Sequence, residues 1–156
     1  MGWGIPSCAL AIALILILLS AGIEDARHRE IANWKNAAIA LMAPLWWFLQ
    51  GYGWGDVAWQ LGIALAIAVV FVGAFYFGWM GGGDVKMIGA LALWLPGQAL
   101  LFMLTIMSII GGVLTLLMMV DHWRTKSPGT VETPYGVAIA MASMIALSEP
   151  IFNQFT

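Results

Sequence analysis

The sequence predicts an all-α polytopic membrane protein with about six transmembrane helices, of which the fourth is short or re-entrant. Only 9% of the 156 residues are charged and 62% are hydrophobic, whereas soluble domains carry roughly 25% charged residues. The mean hydropathy is +0.93, and short polar loops separate the apolar runs. We expect a single membrane-embedded domain over residues 1–156. The net charge of −2 and the absence of a basic stripe argue against a nucleic-acid partner.

Six apolar segments are candidates for crossing the lipid bilayer, a step that takes about 20 residues per helix. They run from Trp3 to about Ala21, Asn36 to about Leu49, Val57 to about Trp79, Val85 to Leu95, Gln98 to Val120 and Tyr135 to about Leu147. The second contains Pro44, which predicts a kink. The fourth is about two-thirds of the required length, so its ends need protein-lined, hydrated recesses. Pro134 suits the first turn of the sixth.

The cations predict the orientation of these helices. In a six-span arrangement all the lysines and arginines fall on one side, namely Arg27, Arg29, Lys35, Lys86, Arg124 and Lys126. The positive-inside rule makes that side the cytoplasm and places both termini outside it.

The pattern Gly-x-Gly-Asp occurs twice, and the number of crossings distinguishes the two copies. Two crossings separate Asp25 from Asp84, so we expect both at the cytoplasmic face, whereas one crossing separates Asp25 from Asp56. We interpret Asp56 as the N-cap of the third span. Asp84 follows three adjacent glycines, which permit close approach of another backbone. An N-cap Asp84 paired with Lys86 is the alternative, but it leaves those glycines unexplained.

Two carboxylates within hydrogen-bond reach share a proton, because both cannot easily ionise together. The ionised member can activate water while the protonated member polarises a peptide carbonyl. The Asp25–Asp84 pair therefore predicts aspartyl proteolysis, a reaction that needs no metal or cofactor. We expect no metal site, since His28 and His122 match no recurring ligand spacing and Cys8 is the one cysteine.

Three motifs resemble those of the type IV prepilin peptidases. Asp25-x-Arg27-x-Arg29-x-Ile31-x-Asn33 resembles their first catalytic-Asp motif, and GGGDVK at residues 81–86 resembles their Gly-x-Gly-Asp motif. TPYGVA at residues 133–138 resembles their C-terminal Pro-Tyr-Gly segment. The motifs occur in the family's order and spacing over nearly the whole chain.

The resemblance implies a membrane aspartyl endopeptidase of the bacterial cytoplasmic (inner) membrane. Such an enzyme cleaves the N-terminal leader of a prepilin or pseudopilin at the cytoplasmic face. Asp25 and Asp84 match the two catalytic aspartates. Motif positions with possible substrate contacts are Gly81, Gly83, Lys86, Arg27, Arg29, Asn33, Pro134, Tyr135 and Gly136. Without a cysteine-containing methyltransferase region, the chain resembles the short form that processes Flp/Tad pilins.

Two other functions are alternatives to proteolysis. Membrane carboxylates and broken helices also occur in ion-coupled transporters, although here the acids cluster at one face and no midplane acid is evident. A non-catalytic pilus-assembly subunit would use its glycines for helix packing. Flux that depends on Asp84 would favour the transporter, and tolerance of Asp25→Asn would favour the assembly subunit.

Overall fold

A computed structural model describes residues 4–125 and 133–152, and the regular structure in these ranges is entirely helical. The six helices are α1 (Ile5–His28), α2 (Asn33–Leu49), α3 (Trp54–Tyr76), α4 (Gly82–Leu91), α5 (Gly97–Thr125) and α6 (Tyr135–Phe152). The predicted fold class, an all-α polytopic membrane protein, is confirmed. Trp3 and Lys126, which entered the prediction of spans and orientation, lie outside the described residues.

Among the described residues, three helices are long and apolar enough to cross a membrane by themselves. These are α1 with 24 residues, α3 with 23 and the 28-residue stretch of α5 from Gly97 to Arg124. Helix α2 has 17 residues and continues through Pro44. Helix α4 has only ten, or about 15 Å at 1.5 Å per residue, which is half of a typical hydrocarbon core. The expectation of a short fourth helix is therefore confirmed.

Several helix boundaries differ from those expected. Helix α1 extends to His28 rather than ending near Ala21. Its apolar run stops near Ala21, but the polar residues that follow are also helical. Helix α4 begins at Gly82 and ends at Leu91, not at Leu95. Its last turn tightens, with the N–H of Trp94 donating to the carbonyl of Leu91 at 2.9 Å.

The short α4 packs against α2, α3 and α6. Its side chains Met87, Ile88 and Leu91 are fully buried. By contrast, α3 presents many large apolar side chains outward, including Leu65 and Val69, which are 67% and 65% exposed. An outward apolar surface of this kind suits a helix that faces lipid.

Side chains of α2 and α3 satisfy the carbonyls that follow α4. Buried Gln60 donates Nε2–H to the carbonyls of Ala92 and Leu95, at 2.7 Å each. Trp47 donates Nε1–H to the carbonyl of Leu93 at 2.8 Å. An apolar interior offers few other donors, and unsatisfied backbone groups there are costly. These three hydrogen bonds allow α4 to end inside the protein, because they supply donors for the carbonyls that follow the helix.

We predict that Gln60→Leu destabilises the fold by about 2–4 kcal/mol, because two buried carbonyls lose their donor. The free energy of unfolding in detergent micelles measures the effect. Gln98→Leu changes an exposed glutamine in the same way and is the matched control, with an expected effect of about 0.5 kcal/mol or less. Equal stability of the two variants would contradict this role of Gln60.

Candidate active site

Asp25 lies on the buried face of α1, in register with the apolar side chains that face the protein interior. Ala11, Leu14, Leu18 and Ala21 are at most 4% exposed, and Asp25 is 5% exposed. The spacing of three and four residues continues from these side chains to Asp25. The acid therefore occupies a core-facing position, and this register is visible in the sequence.

The first turn of α6 holds the Asp25 carboxylate. The N–H of Val137 donates to Asp25 Oδ2 at 3.2 Å, and the N–H of Gly136 also donates to this carboxylate. The free N–H groups of a helix N-terminus bind anions and carry a partial positive charge. The carboxylate form of Asp25 is thus stabilised by backbone donors from a helix distant in sequence.

Gly136 has no room for a side chain. A Cβ at this position would lie 2.8 Å from the Cγ and Oδ2 of Asp25 and 2.8 Å from Ile31 Cδ1, so only glycine allows this contact. Pro134 precedes the first residue of α6, Tyr135, at a helix end where an N–H would have no partner within the helix. The Pro-Tyr-Gly segment therefore gains a structural role beside Asp25.

Asp84 lies at the third residue of α4, not at its N-cap as the alternative interpretation held. The N-cap is Gly81, and its N–H donates to the Asp84 carboxylate. Lys86 donates Nζ–H to Asn33 Oδ1 at 2.8 Å, which ties α4 to α2. A second tie comes from buried Asn36, whose Nδ2 donates to the Gly83 carbonyl at 3.2 Å.

The surroundings of Asp84 favour its protonated form. Burial, and next the negative charge of Asp25, raise the pKa of Asp84 to about 7. The hydrogen bond from the Gly81 N–H acts in the opposite direction. Near neutral pH the pair can therefore hold one proton, with Asp84 as its carrier.

The second Gly-x-Gly-Asp copy has the same local geometry in a different environment. Asp56 was expected as an N-cap, but the N-cap is Gly53, whose N–H donates to Asp56 Oδ2 at 2.9 Å. Asp56 is exposed and lies about 30 Å along α3 from the end at Tyr76. The pattern therefore specifies the start of a helix, and tertiary packing distinguishes the two aspartates.

Asp25 and Asp84 line one cleft made of two adjoining cavities. The cavities share Asp25, Arg29, Gly81 and Asp84 as lining residues. One, of about 330 Å³, extends past Glu30, Ile31, Asn33, Gly82 and Gly83; we call it the polar arm. The other, of about 470 Å³, extends past Gly78, Trp79, Met80, Thr133 and Tyr135; we call it the aromatic arm.

The remaining predicted site residues fall into three groups according to their position relative to the cleft. Arg29, Asn33, Gly81, Gly83 and Tyr135 line the cleft. Arg29 ends α1 in the left-handed conformation, with φ of 58°. Arg27 and Lys86 are exposed and line neither cavity. Gly136 contacts Asp25 from the first turn of α6, and Pro134 directly precedes that helix.

The sequence did not predict a group of polar contacts at the turn between α1 and α2, which we call the polar clasp; it consists of Lys35, Glu24 and the backbone of Ser20 and Ala32. Lys35, counted only as a topology cation, is 5% exposed and lies 2.8 Å from Glu24 Oε2. It also donates to the Ser20 carbonyl at 3.0 Å, and the Ala32 N–H donates to Glu24 at 3.2 Å. The sequence feature that could have indicated this ion pair is Glu24, a second acid directly before Asp25, together with Lys35 in the next helix. The clasp fixes the segment that carries Arg29 and Ile31.

Comparison with protein-family models gives a match to the type IV leader peptidase family over residues 12–116. This range is about two-thirds of the chain and contains both Asp25 and GGGDVK, but it ends before Pro134. Neither the curated proteins nor the solved structures contain a match. Within residues 4–125 and 133–152, no three His, Cys, Asp or Glu side chains group to hold a metal ion.

We predict that Gly136→Ala destabilises the fold by about 1–3 kcal/mol, because the new methyl group overlaps Asp25 and Ile31. Chemical unfolding in detergent measures the change. The control is Gly112→Ala on α5, where a Cβ meets nothing within 4 Å and alanine favours the helix by up to about 1 kcal/mol. A Gly136→Ala protein as stable as Gly112→Ala would contradict the close contact.

Proposed function

The chain belongs to the type IV leader peptidase family, and on that premise we propose that it is an aspartyl endopeptidase with Asp25 and Asp84 as its catalytic pair. The observation that carries the proposal is the cleft that both carboxylates line. They come from different helices, and the charge of Asp25 acts on Asp84. The proposed substrate is a prepilin or pseudopilin, and the reaction removes its N-terminal leader.

The two aspartates have different roles in the proposed reaction. Asp25 receives N–H groups from α6, so it acts as the ionised base and takes a proton from water. Asp84, with its pKa near 7, donates its proton to the scissile carbonyl oxygen. The water oxygen bonds to the carbonyl carbon and gives a tetrahedral diol.

Collapse of the diol restores both aspartates. The C–N bond breaks as Asp25 returns its proton to the leaving amine. A diol hydroxyl returns a proton to Asp84, and the new carboxylic acid leaves the cleft. Each aspartate thus exchanges its acid and base roles within one turnover, so the reaction consumes only water.

We propose that this cleft faces the cytoplasm. Arg27 lies in the last turn of α1, Arg29 follows that helix and Lys86 is the fifth residue of α4; cations accumulate on the cytoplasmic side of membrane proteins. The leader of the substrate then lies in the cytoplasm while its apolar helix lies in the bilayer. This arrangement is the one expected of a protein in the bacterial cytoplasmic membrane, which is the localisation we propose.

We predict that Asp25→Asn and Asp84→Asn each lower the rate of leader cleavage by at least about 10³-fold, because neither amide replaces its carboxyl group in proton transfer. Processing is measured on denaturing gels, as the change in electrophoretic mobility of a prepilin that is co-expressed with each variant. Immunoblotting confirms that each variant is present in the membrane.

Asp56→Asn is the matched control, since it changes the same residue type in the same local pattern outside the cleft. We expect processing within about twofold of wild type, because Asp56 caps only the exposed start of α3. Wild-type processing by Asp84→Asn would refute the aspartyl mechanism, and loss of processing by Asp56→Asn would contradict the location of the site.

A further inference from the structure

One apolar side chain, Ile31, lies between the backbone segments that hold the two aspartates. It is 8% exposed and lines the polar arm of the cleft. A Cβ at Gly83, the residue before Asp84, would lie 3.4 Å from Ile31 Cβ. A Cβ at Gly136 would lie 2.8 Å from both Ile31 Cδ1 and Asp25 Cγ. Ile31 therefore packs against the first turn of α4 through its Cβ and against the first turn of α6 through its Cδ1.

The two helices that Ile31 contacts each position one aspartate. Asp84 is the third residue of α4, and the N–H groups that bind Asp25 belong to Gly136 and Val137 of α6. Helices α4 and α6 also pack on each other. Because protein interiors are close-packed, a side chain between the two first turns sets the distance between them. That distance contributes directly to the separation of the two carboxyl groups.

The polar clasp holds the peptide group that follows Ile31. Ile31 lies in the turn between α1 and α2, outside both helices. The N–H of Ala32 donates to Glu24 Oε2 at 3.2 Å. The same carboxylate oxygen lies 2.8 Å from Lys35 Nζ, which also donates to the Ser20 carbonyl at 3.0 Å. The backbone next to Ile31 is thus connected to the last turns of α1.

Burial of Lys35 makes the polar clasp rigid. The side chain is 5% exposed, and a buried cation requires a partner because an unpaired buried charge is costly. Glu24 is that partner, so its carboxylate stays in one orientation. Before Ile31, the N–H of Arg29 donates to the carbonyl of Asp25 at 2.9 Å. The turn is therefore held on both sides of Ile31.

We propose that Ile31 is a positioning residue that sets the separation of Asp25 and Asp84. The polar clasp holds Ile31 in place through the peptide group that follows it. The inference rests on the proposed peptidase function and adds an effect of the turn on the chemical step. Glu24 and Lys35 line neither cavity, so they act through Ile31 and not on the substrate. A displacement of about 1 Å in the reacting groups can lower a rate about 10²-fold.

Two variants of the polar clasp separate its hydrogen bond from its charges. Glu24→Gln removes the negative charge but keeps an oxygen that accepts from the Ala32 N–H. Glu24→Leu combined with Lys35→Met removes this acceptor together with the buried cation, a kind of replacement that is often neutral for stability. For cleavage of a purified prepilin we expect kcat to fall about 10-fold or more in the double variant and about threefold or less in Glu24→Gln. KM should stay within about threefold of wild type in both.

Shortening Ile31 tests the spacer itself. Ile31→Ala should lower kcat about 10-fold or more, because the contacts with both first turns are lost, and Ile31→Val should lower it less, about threefold. Leu14→Ala is the control for a general loss of stability. Leu14 is fully buried and lies about 16 Å along α1 from Asp25, so its truncation leaves a cavity remote from the cleft. At a temperature where both variants are folded, kcat of Leu14→Ala should stay within about twofold of wild type.

Hydrogen exchange of the Ala32 amide tests the polar clasp without turnover. Exchange should be slow in the wild-type protein and in Glu24→Gln, and about 10-fold faster or more in the double variant. Equal protection of this amide in all three proteins would overturn the role of the polar clasp. Wild-type kcat in Ile31→Ala, or an equal loss of kcat in Leu14→Ala, would overturn the spacer. Failure of the wild-type protein to cleave the prepilin would instead refute the proposed function.

Discussion

The contact between Asp25 and the first turn of α6 is the constraint on which the proposed site depends. A carboxylate at a core position of α1 requires hydrogen-bond donors, because an uncompensated buried charge is unstable. Val137 and Gly136 supply backbone N–H groups, and the missing side chain of Gly136 lets them approach. Helix α6 thus positions an acid of α1, and the part of the cleft that Asp25 lines depends on this contact.

The short α4 presents Asp84 to that carboxylate. Ten residues do not cross a bilayer, so both ends of α4 need partners inside the protein. At the end near the cleft, Asn36 and Lys86 connect α4 to α2; at the other, Gln60 binds the carbonyls that follow it. Burial then combines with the nearby charge of Asp25 to give Asp84 its raised pKa. The polar hydrogen bonds at both ends of α4 and the short length of this helix together position Asp84 near Asp25.

The sequence predicted the helical membrane fold, the short fourth helix and the location of Asp25 and Asp84 at the same face; both aspartates line the cleft in the structure. The fold and the short helix were predicted from composition and apolar runs, and the relation between the two aspartates was predicted from the number of crossings. It predicted the end of α2 at Leu49 and the start of α6 at Tyr135, but not the ends of α1 and α4. Hydropathy fails where α1 continues past its apolar run to His28. The use of Lys35 only as a cation that fixes the orientation did not predict its contacts with Glu24 and Ser20. Asp56 and Asp84 each accept a hydrogen bond from the N–H of an N-cap glycine. The number of crossings separates them in the sequence, and Asp56 is exposed in the structure whereas Asp84 lines the cleft.

The coupling of Asp25 and Asp84 is tested most directly by a pH titration of Asp84, followed by carbon NMR of the protein labelled at its aspartate carboxyl groups, with Asp84→Asn to assign the signal. We expect a midpoint near pH 7 in the wild-type protein. In Asp25→Asn the midpoint should fall, because the neighbouring negative charge is gone, but it should stay above the ordinary value of 3.8 because burial remains. A midpoint that is the same in both proteins would show that the two carboxylates do not share a site.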